Sequence, residues 1–151
     1  MFRRLLVLLL VALPVALPAQ APAIPTPESV FGFAPGAEKK LANYEQVVEY
    51  YRKVDAASDR VRLFEAGKST QGRTFTFALV SSKANLDRLD RYREIARRLA
   101  HPDGLTEAEA RALAREGKAF VHIDGGLHSS EVAAPQHTPL PQSSGPSQLR
   151  V

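Results

Sequence analysis

The sequence predicts an α/β layer fold, because segments with helical periodicity alternate with short runs of β-forming residues. Several stretches repeat apolar residues at the spacing of one helix face. Two runs rich in Val, Phe and Thr flank a turn that contains glycine. A further run, 119–124, is apolar on both faces, which is typical of a central strand covered by helices. The resulting order is α, β, β, α, α, β and then a new helix, which predicts helices packed against a β-sheet.

The first helix is predicted over about 43–56. Asn43, with Gln46 three residues later, is a relative of the capping box that begins many helices. The apolar positions that follow recur at helical spacing: Tyr44, Val47, Val48, Tyr51 and Val54.

A β-hairpin is predicted next, with strands over 61–66 and 74–81. Gly67 and Gly72 lie in the intervening segment and supply the residues that a tight turn requires. In the second strand Phe75, Phe77 and Leu79 alternate with smaller residues and therefore share one face. We expect this face to be buried.

Two more helices are predicted over 84–100 and 104–118. The first ends before Pro102 and carries one apolar stripe, formed by Leu86, Leu89, Tyr92, Ile95 and Leu99. Arginines and aspartates alternate on its opposite face, which favours a solvated surface over a nucleic-acid site. The second helix begins with a capping box, Thr106 and Glu109, and ends at Gly117.

Composition excludes several kinds of chemistry. The chain has 151 residues, a formal net charge of +4 and no cysteine. Arg3 and Arg4 supply two of these positive charges, so the excess is too small to favour a nucleic-acid partner. Without thiols, a metal would have to be held by histidine and carboxylate groups.

Residues 1–23 have the layout of a secretory signal peptide. Two arginines precede the apolar run 5–13, and small residues surround the expected cleavage region at Ala19, Ala21 and Ala23. A retained N-terminal anchor is the alternative. Cleavage would leave a secreted or periplasmic chain without a stable membrane span, and residues 24–42 would form an extended, proline-containing lead-in.

The candidate site follows the run 119–124, where ligands collect at the carboxyl ends of strands in α/β folds. His128 and Glu131 come directly after Gly125 and Gly126. If a helix begins here, the two side chains are neighbours at i and i+3 and can converge on one metal ion. An ordinary helix start, in which Glu131 favours the helix dipole, is the alternative. Two ligands do not complete a zinc site.

The remaining histidines are expected to have other roles. His101 lies at a helix end, and His122 should be a hydrogen-bonded core residue of the strand. His137 is too far along a continuing helix to join His128. Position 129 is serine, so the H-E-x-x-H motif is absent.

The residues 67–82 and 85–138, "GKSTQGRTFTFALVSS" and "NLDRLDRYREIARRLAHPDGLTEAEARALAREGKAFVHIDGGLHSSEVAAPQHT", resemble bacterial zinc carboxypeptidases of the carboxypeptidase A-like family. The resemblance covers about 28–138. It implies helices packed on both faces of a mixed β-sheet, of which this chain holds an incomplete N-terminal part. It also implies zinc as cofactor, held first by His128 and Glu131, and hydrolysis of the C-terminal bond of a peptide or protein substrate.

The resemblance also implies where the family's other site residues lie. In the family the third ligand, a second histidine, lies far downstream, and the general-base glutamate and the groups that hold the substrate carboxylate lie later still. Many members carry arginine where this chain has Ser130, which leaves the substrate class open. We therefore assign no catalytic or substrate-binding residue within the predicted domain, 43–138.

The last segment, 139–151, is rich in Pro, Ser and Gln and is predicted to be a disordered tail. Its abrupt change of composition suggests a truncated or frame-shifted product. We expect such a chain to expose a strand edge, to be marginally stable and to lack carboxypeptidase activity. A non-catalytic secreted interaction module and a zinc amidase or deacylase on the same scaffold are the alternative functions.

Overall fold

A computed structural model describes residues 23–128 and 130–139. The helices are α1 (Pro27–Phe31), α2 (Tyr44–Ala57), α3 (Lys83–Leu86), α4 (Leu89–Ala100), α5 (Glu107–Glu116) and α6 (Ala133–His137), and the strands are β1 (Val61–Lys68) and β2 (Thr74–Val80). The predicted α/β class is confirmed in an incomplete form, with helices and, among the described residues, one two-stranded antiparallel sheet. Except for residues 23 and 139, the predicted signal peptide, 1–23, and the predicted tail, 139–151, lie outside the described residues.

Helix α2 organises the main core. Its predicted start is confirmed: the Asn43 side chain accepts a hydrogen bond from the Gln46 backbone N–H at 2.8 Å, and the Gln46 side chain accepts one from the Asn43 N–H at 3.0 Å. The buried core residues come from α1, α2 and β1, and they are Phe31, Tyr50, Val54 and Val61. Tyr50 is fully buried although it lies outside the predicted stripe.

The lead-in is not wholly extended, as the proline content had suggested, because it contains α1. Thr26 caps this short helix by accepting a hydrogen bond from the Ser29 N–H, and Pro27 occupies its first turn, where a missing N–H costs nothing. Gly32 ends the helix in the left-handed region at φ 78°. The helix places the Phe31 ring 6.0 Å from the ring of Tyr50.

The hairpin is confirmed, but the expectation about its buried face is wrong. Phe75 and Phe77 are 62% and 46% exposed. Ala78 and Val80, from the opposite face of β2, pack against the core instead. Alternation defines which residues share a face, but the position of α2 decides which face is covered. Phe77 stacks on the Phe64 ring of β1, with 5.2 Å between centroids.

The predicted helix 84–100 is divided into α3 and α4, with Asp87 and Arg88 between them. Its apolar stripe is buried as expected, most completely at Leu86, Tyr92 and Ile95. Helix α5 has the predicted capping box at Thr106 and Glu109. It is joined to α4 by Glu116, whose carboxylate accepts hydrogen bonds from Arg88 and Arg91.

The predicted central strand 119–124 is absent, since these residues form neither helix nor strand. Val121 and Ile123 are 81% and 80% exposed, and His122, expected in the core, is exposed as well. A strand needs a hydrogen-bonding neighbour, and β1 and β2 pair only with each other among the described residues. None of the helices within 23–128 and 130–139 has the length and apolar character needed to cross a membrane.

Candidate metal centre

Gly125 and Gly126 bring the chain against α6 just before the candidate site. A Cβ atom added to Gly125 would lie 2.2 Å from Cγ2 of Thr138, closer than any side chain tolerates. Gly126 has φ 87°, and an added Cβ would lie 2.8 Å from Cγ of Pro135. Glycine at both positions permits this close approach to α6, which a Cβ atom would obstruct.

Two tyrosines of α2 hold the other end of the site region. The Tyr50 hydroxyl donates to the Pro139 carbonyl at 3.1 Å, and the Tyr51 hydroxyl donates to the Thr138 carbonyl at 2.9 Å. Burial raises the pKa of Tyr50 to about 12 and also raises the pKa of Tyr51. Sequence periodicity does not reveal these contacts, because they join residues nearly ninety positions apart.

His128 and Glu131 are in direct contact. The Nδ1 atom of His128 lies 2.7 Å from Oε1 of Glu131, and the His128 backbone N–H donates to Oε2 at 3.4 Å. The Glu131 N–H donates to the His128 carbonyl at 3.1 Å, which closes a turn rather than the first turn of a helix. The predicted i, i+3 convergence is therefore present, although α6 begins only at Ala133.

The other histidines lie in separate surroundings. His101 follows α4 as its C-terminal capping residue, and His137 is the last residue of α6. His122 is exposed, with Nε2 2.7 Å from Oδ1 of Asp124. Across 23–128 and 130–139, no three side chains of the His, Cys, Asp or Glu type are grouped closely enough to hold a metal ion.

The His128–Glu131 pair fits zinc in donor chemistry but not in donor number. Imidazole nitrogen and carboxylate oxygen are both common zinc ligands. Tetrahedral coordination separates two such donors by about 3.4 Å, so the present 2.7 Å contact would have to open slightly. Both side chains have room for this, since they are 69% and 52% exposed. The further donors that zinc requires are not beside the pair in the described part of the chain.

A family model described as zinc carboxypeptidase matches residues 47–138. The matched region begins within α2, continues through the hairpin and α3 to α5, and ends after α6. It includes both His128 and Glu131. No curated protein and no solved structure matches the chain.

Proposed function

This chain belongs to the zinc carboxypeptidase family, and we propose that it is an exported metallocarboxypeptidase-type protein in which His128 and Glu131 are zinc ligands. The observation that carries the proposal is the 2.7 Å contact between Nδ1 of His128 and Oε1 of Glu131 inside the matched region. These are a nitrogen and an oxygen donor of the types that zinc takes. The substrate class is a peptide or protein with a free C-terminus, and export rests on the leader-like composition of 1–23.

In this proposal the chain's own residues bind the metal ion and orient the side chains that bind it. Zinc, when bound in such enzymes, polarises the scissile carbonyl and lowers the pKa of a coordinated water molecule. His128 and Glu131 would hold it, and the His128 backbone N–H orients Glu131 through the carboxylate oxygen that does not contact the ring. Gly125 and Gly126 allow the backbone that leads to the pair to lie against Thr138 and Pro135.

Turnover by these 151 residues alone is not expected. Catalytic zinc sites use three protein ligands and keep one position for water or substrate. The described residues bring two donors together. We therefore expect weak zinc binding that depends on His128 and Glu131, and no hydrolysis of C-terminal peptide bonds.

Calorimetric titration of the purified chain with zinc tests the ligand assignment. His128→Ala and Glu131→Ala should each weaken binding by at least about tenfold, because each removes one of two donors. His101→Ala is the matched control, since it removes an exposed histidine outside the site and should leave binding unchanged. Equal affinity in all four proteins would refute the assignment.

A peptide with a C-terminal reporter residue tests the expected lack of turnover. Hydrolysis that is abolished by a chelator and by His128→Ala would show that this chain completes the site by itself. Tight one-to-one zinc binding lost in His128→Ala would likewise show a third donor within the 151 residues. Hydrolysis would overturn the expectation of an inactive chain, and tight binding would overturn the expectation of weak zinc binding. Both results would support the assignment of His128.

A further inference from the structure

Residues 118–124 form an exposed segment whose central backbone groups have no hydrogen-bond partner among the described residues. Phe120, Val121 and Ile123 are 51%, 81% and 80% exposed. Within the part of the chain that the structure describes, the backbone N–H and C=O groups of 119–123 make no hydrogen bond. The segment is nevertheless rich in Phe, Val and Ile, which favour strands. It therefore has the composition of a strand and lacks a strand's neighbour.

The sequence of this segment is complementary to itself in the antiparallel direction. When two copies align about Val121, Lys118 of each copy lies opposite Asp124 of the other. Phe120 then lies opposite His122. The remaining positions, on the other face, place Ala119 opposite Ile123 and Val121 opposite its own counterpart, so that face is wholly apolar.

The two charged ends are accessible for such pairing. The Asp124 side chain is 58% exposed and contacts only His122, at 2.7 Å, among the described residues. Lys118 is exposed, and its ammonium group lies 5.9 Å from the centroid of the Tyr92 ring. A cation–π contact at this distance is weak and does not prevent an ion pair with a carboxylate.

We propose that two copies of this chain associate through antiparallel pairing of residues 118–124, aligned about Val121. Each copy supplies the backbone hydrogen bonds that the other lacks, as in other complexes formed by strand addition. The charge complementarity selects this register and a second copy of the same chain as the partner. Such a short strand pair buries less area than a standard stable interface, so the dimer forms in a concentration-dependent manner. The proposal is independent of zinc and of peptidase activity.

Single cysteines test the register directly, because the chain has no cysteine of its own. In the proposed dimer the two residues at position 121 face each other with Cα atoms about 5 Å apart, within reach of a disulfide. The two residues at position 123 are about 13 Å apart and out of reach. Under mild oxidation Val121→Cys should give covalent dimers, and Ile123→Cys, which is equally exposed, should give at least about tenfold fewer. Equal yields, or no dimer from Val121→Cys, would overturn the proposal.

A charge exchange tests the complementarity without any covalent bond. Lys118→Asp and Asp124→Lys should each weaken self-association in sedimentation experiments by about three- to tenfold, because two attractive pairs per dimer become repulsive. The double variant should restore association, since it restores both pairs. Both residues are exposed, so neither substitution removes a core contact, and circular dichroism checks that the variants are folded. Failure of the double variant to recover would overturn the proposal. A wild-type chain that stays monomeric at every concentration would do the same.

Discussion

Replacement of Tyr50 by phenylalanine should lower the stability of the protein near neutral pH. Tyr50 is fully buried, and its hydroxyl donates to the Pro139 carbonyl at 3.1 Å. The substitution keeps the ring in the core but removes the donor and leaves a carbonyl acceptor without it. The expected loss is about 1–3 kcal/mol in the free energy of unfolding.

The same residue should make the wild-type protein sensitive to alkali. Burial raises the pKa of Tyr50 to about 12, and the neighbouring Tyr51 adds to this shift. In the unfolded chain a tyrosine ionises near pH 10. Between these values the folded state binds more protons than the unfolded state, so stability is fully present below about pH 10 and falls as the pH rises towards 12. The slope is about 1.4 kcal/mol per pH unit, and the total is about 3 kcal/mol.

Urea unfolding of the two proteins at a series of pH values provides the assay. The stability difference between wild type and Tyr50→Phe should be largest below about pH 10 and should shrink above it, because the variant lacks the ionising group. The exposed lysines ionise in both proteins and cancel in the difference. A difference that stays constant from neutral pH to about pH 11 would refute the reasoning.

Three further substitutions test the packing and capping contacts. Ile95→Ala should lower the free energy of unfolding by about 2–5 kcal/mol in urea, since Ile95 is 1% exposed; a loss below about 1 kcal/mol would contradict its burial. Gly125→Ala should destabilise by about 1–3 kcal/mol and speed hydrogen exchange in α6, because the added Cβ would overlap Thr138; unchanged exchange would argue against that contact. Thr106→Ala should cost about 1 kcal/mol through loss of the helix cap. It should also raise the pKa of Glu109 in an NMR titration, because it removes the hydrogen bond from the Thr106 hydroxyl that lowers this pKa, and an unchanged pKa would argue against that bond.

The elements that sequence predicts well are those whose signals are local. Asn43 and Thr106 each form a capping box with a residue three positions later, and both boxes are present. The hairpin is predicted by its turn residues for the same reason. These features depend on hydrogen bonds within a few residues, so their patterns need no knowledge of the rest of the chain.

The errors arise where a distant element decides the outcome. Phe75 and Phe77 share a face as predicted, but α2 covers the opposite face of the hairpin. Residues 119–124 have the composition of a central strand, yet strand formation depends on a neighbour, and none pairs with them among the described residues. Composition thus indicates that a segment can form a strand, and the presence of a neighbouring strand determines whether it does.

The candidate metal pair combines both situations. The contact between His128 and Glu131 follows from their spacing and was predictable, although the turn that produces it precedes α6. The position of that turn in the fold depends on two distant contacts. Gly125 lies close to Thr138 because it has no Cβ, and the tyrosines of α2 donate hydrogen bonds to the backbone after α6. No local pattern indicates these contacts, because they join separate parts of the sequence.

This arrangement separates two properties that are easily confused, the placement of the ligands and the completeness of the site. The glycines before the pair allow the backbone to lie against α6, and the tyrosine hydrogen bonds hold the backbone that follows the pair. The side chains themselves are exposed and remain free to adjust to a metal ion. With His128 and Glu131 as the proposed ligands, zinc affinity should be limited by the number of donors that the described residues bring together rather than by their placement. The described residues bring two donors together, which would leave the rest of the coordination sphere of a bound zinc ion to water.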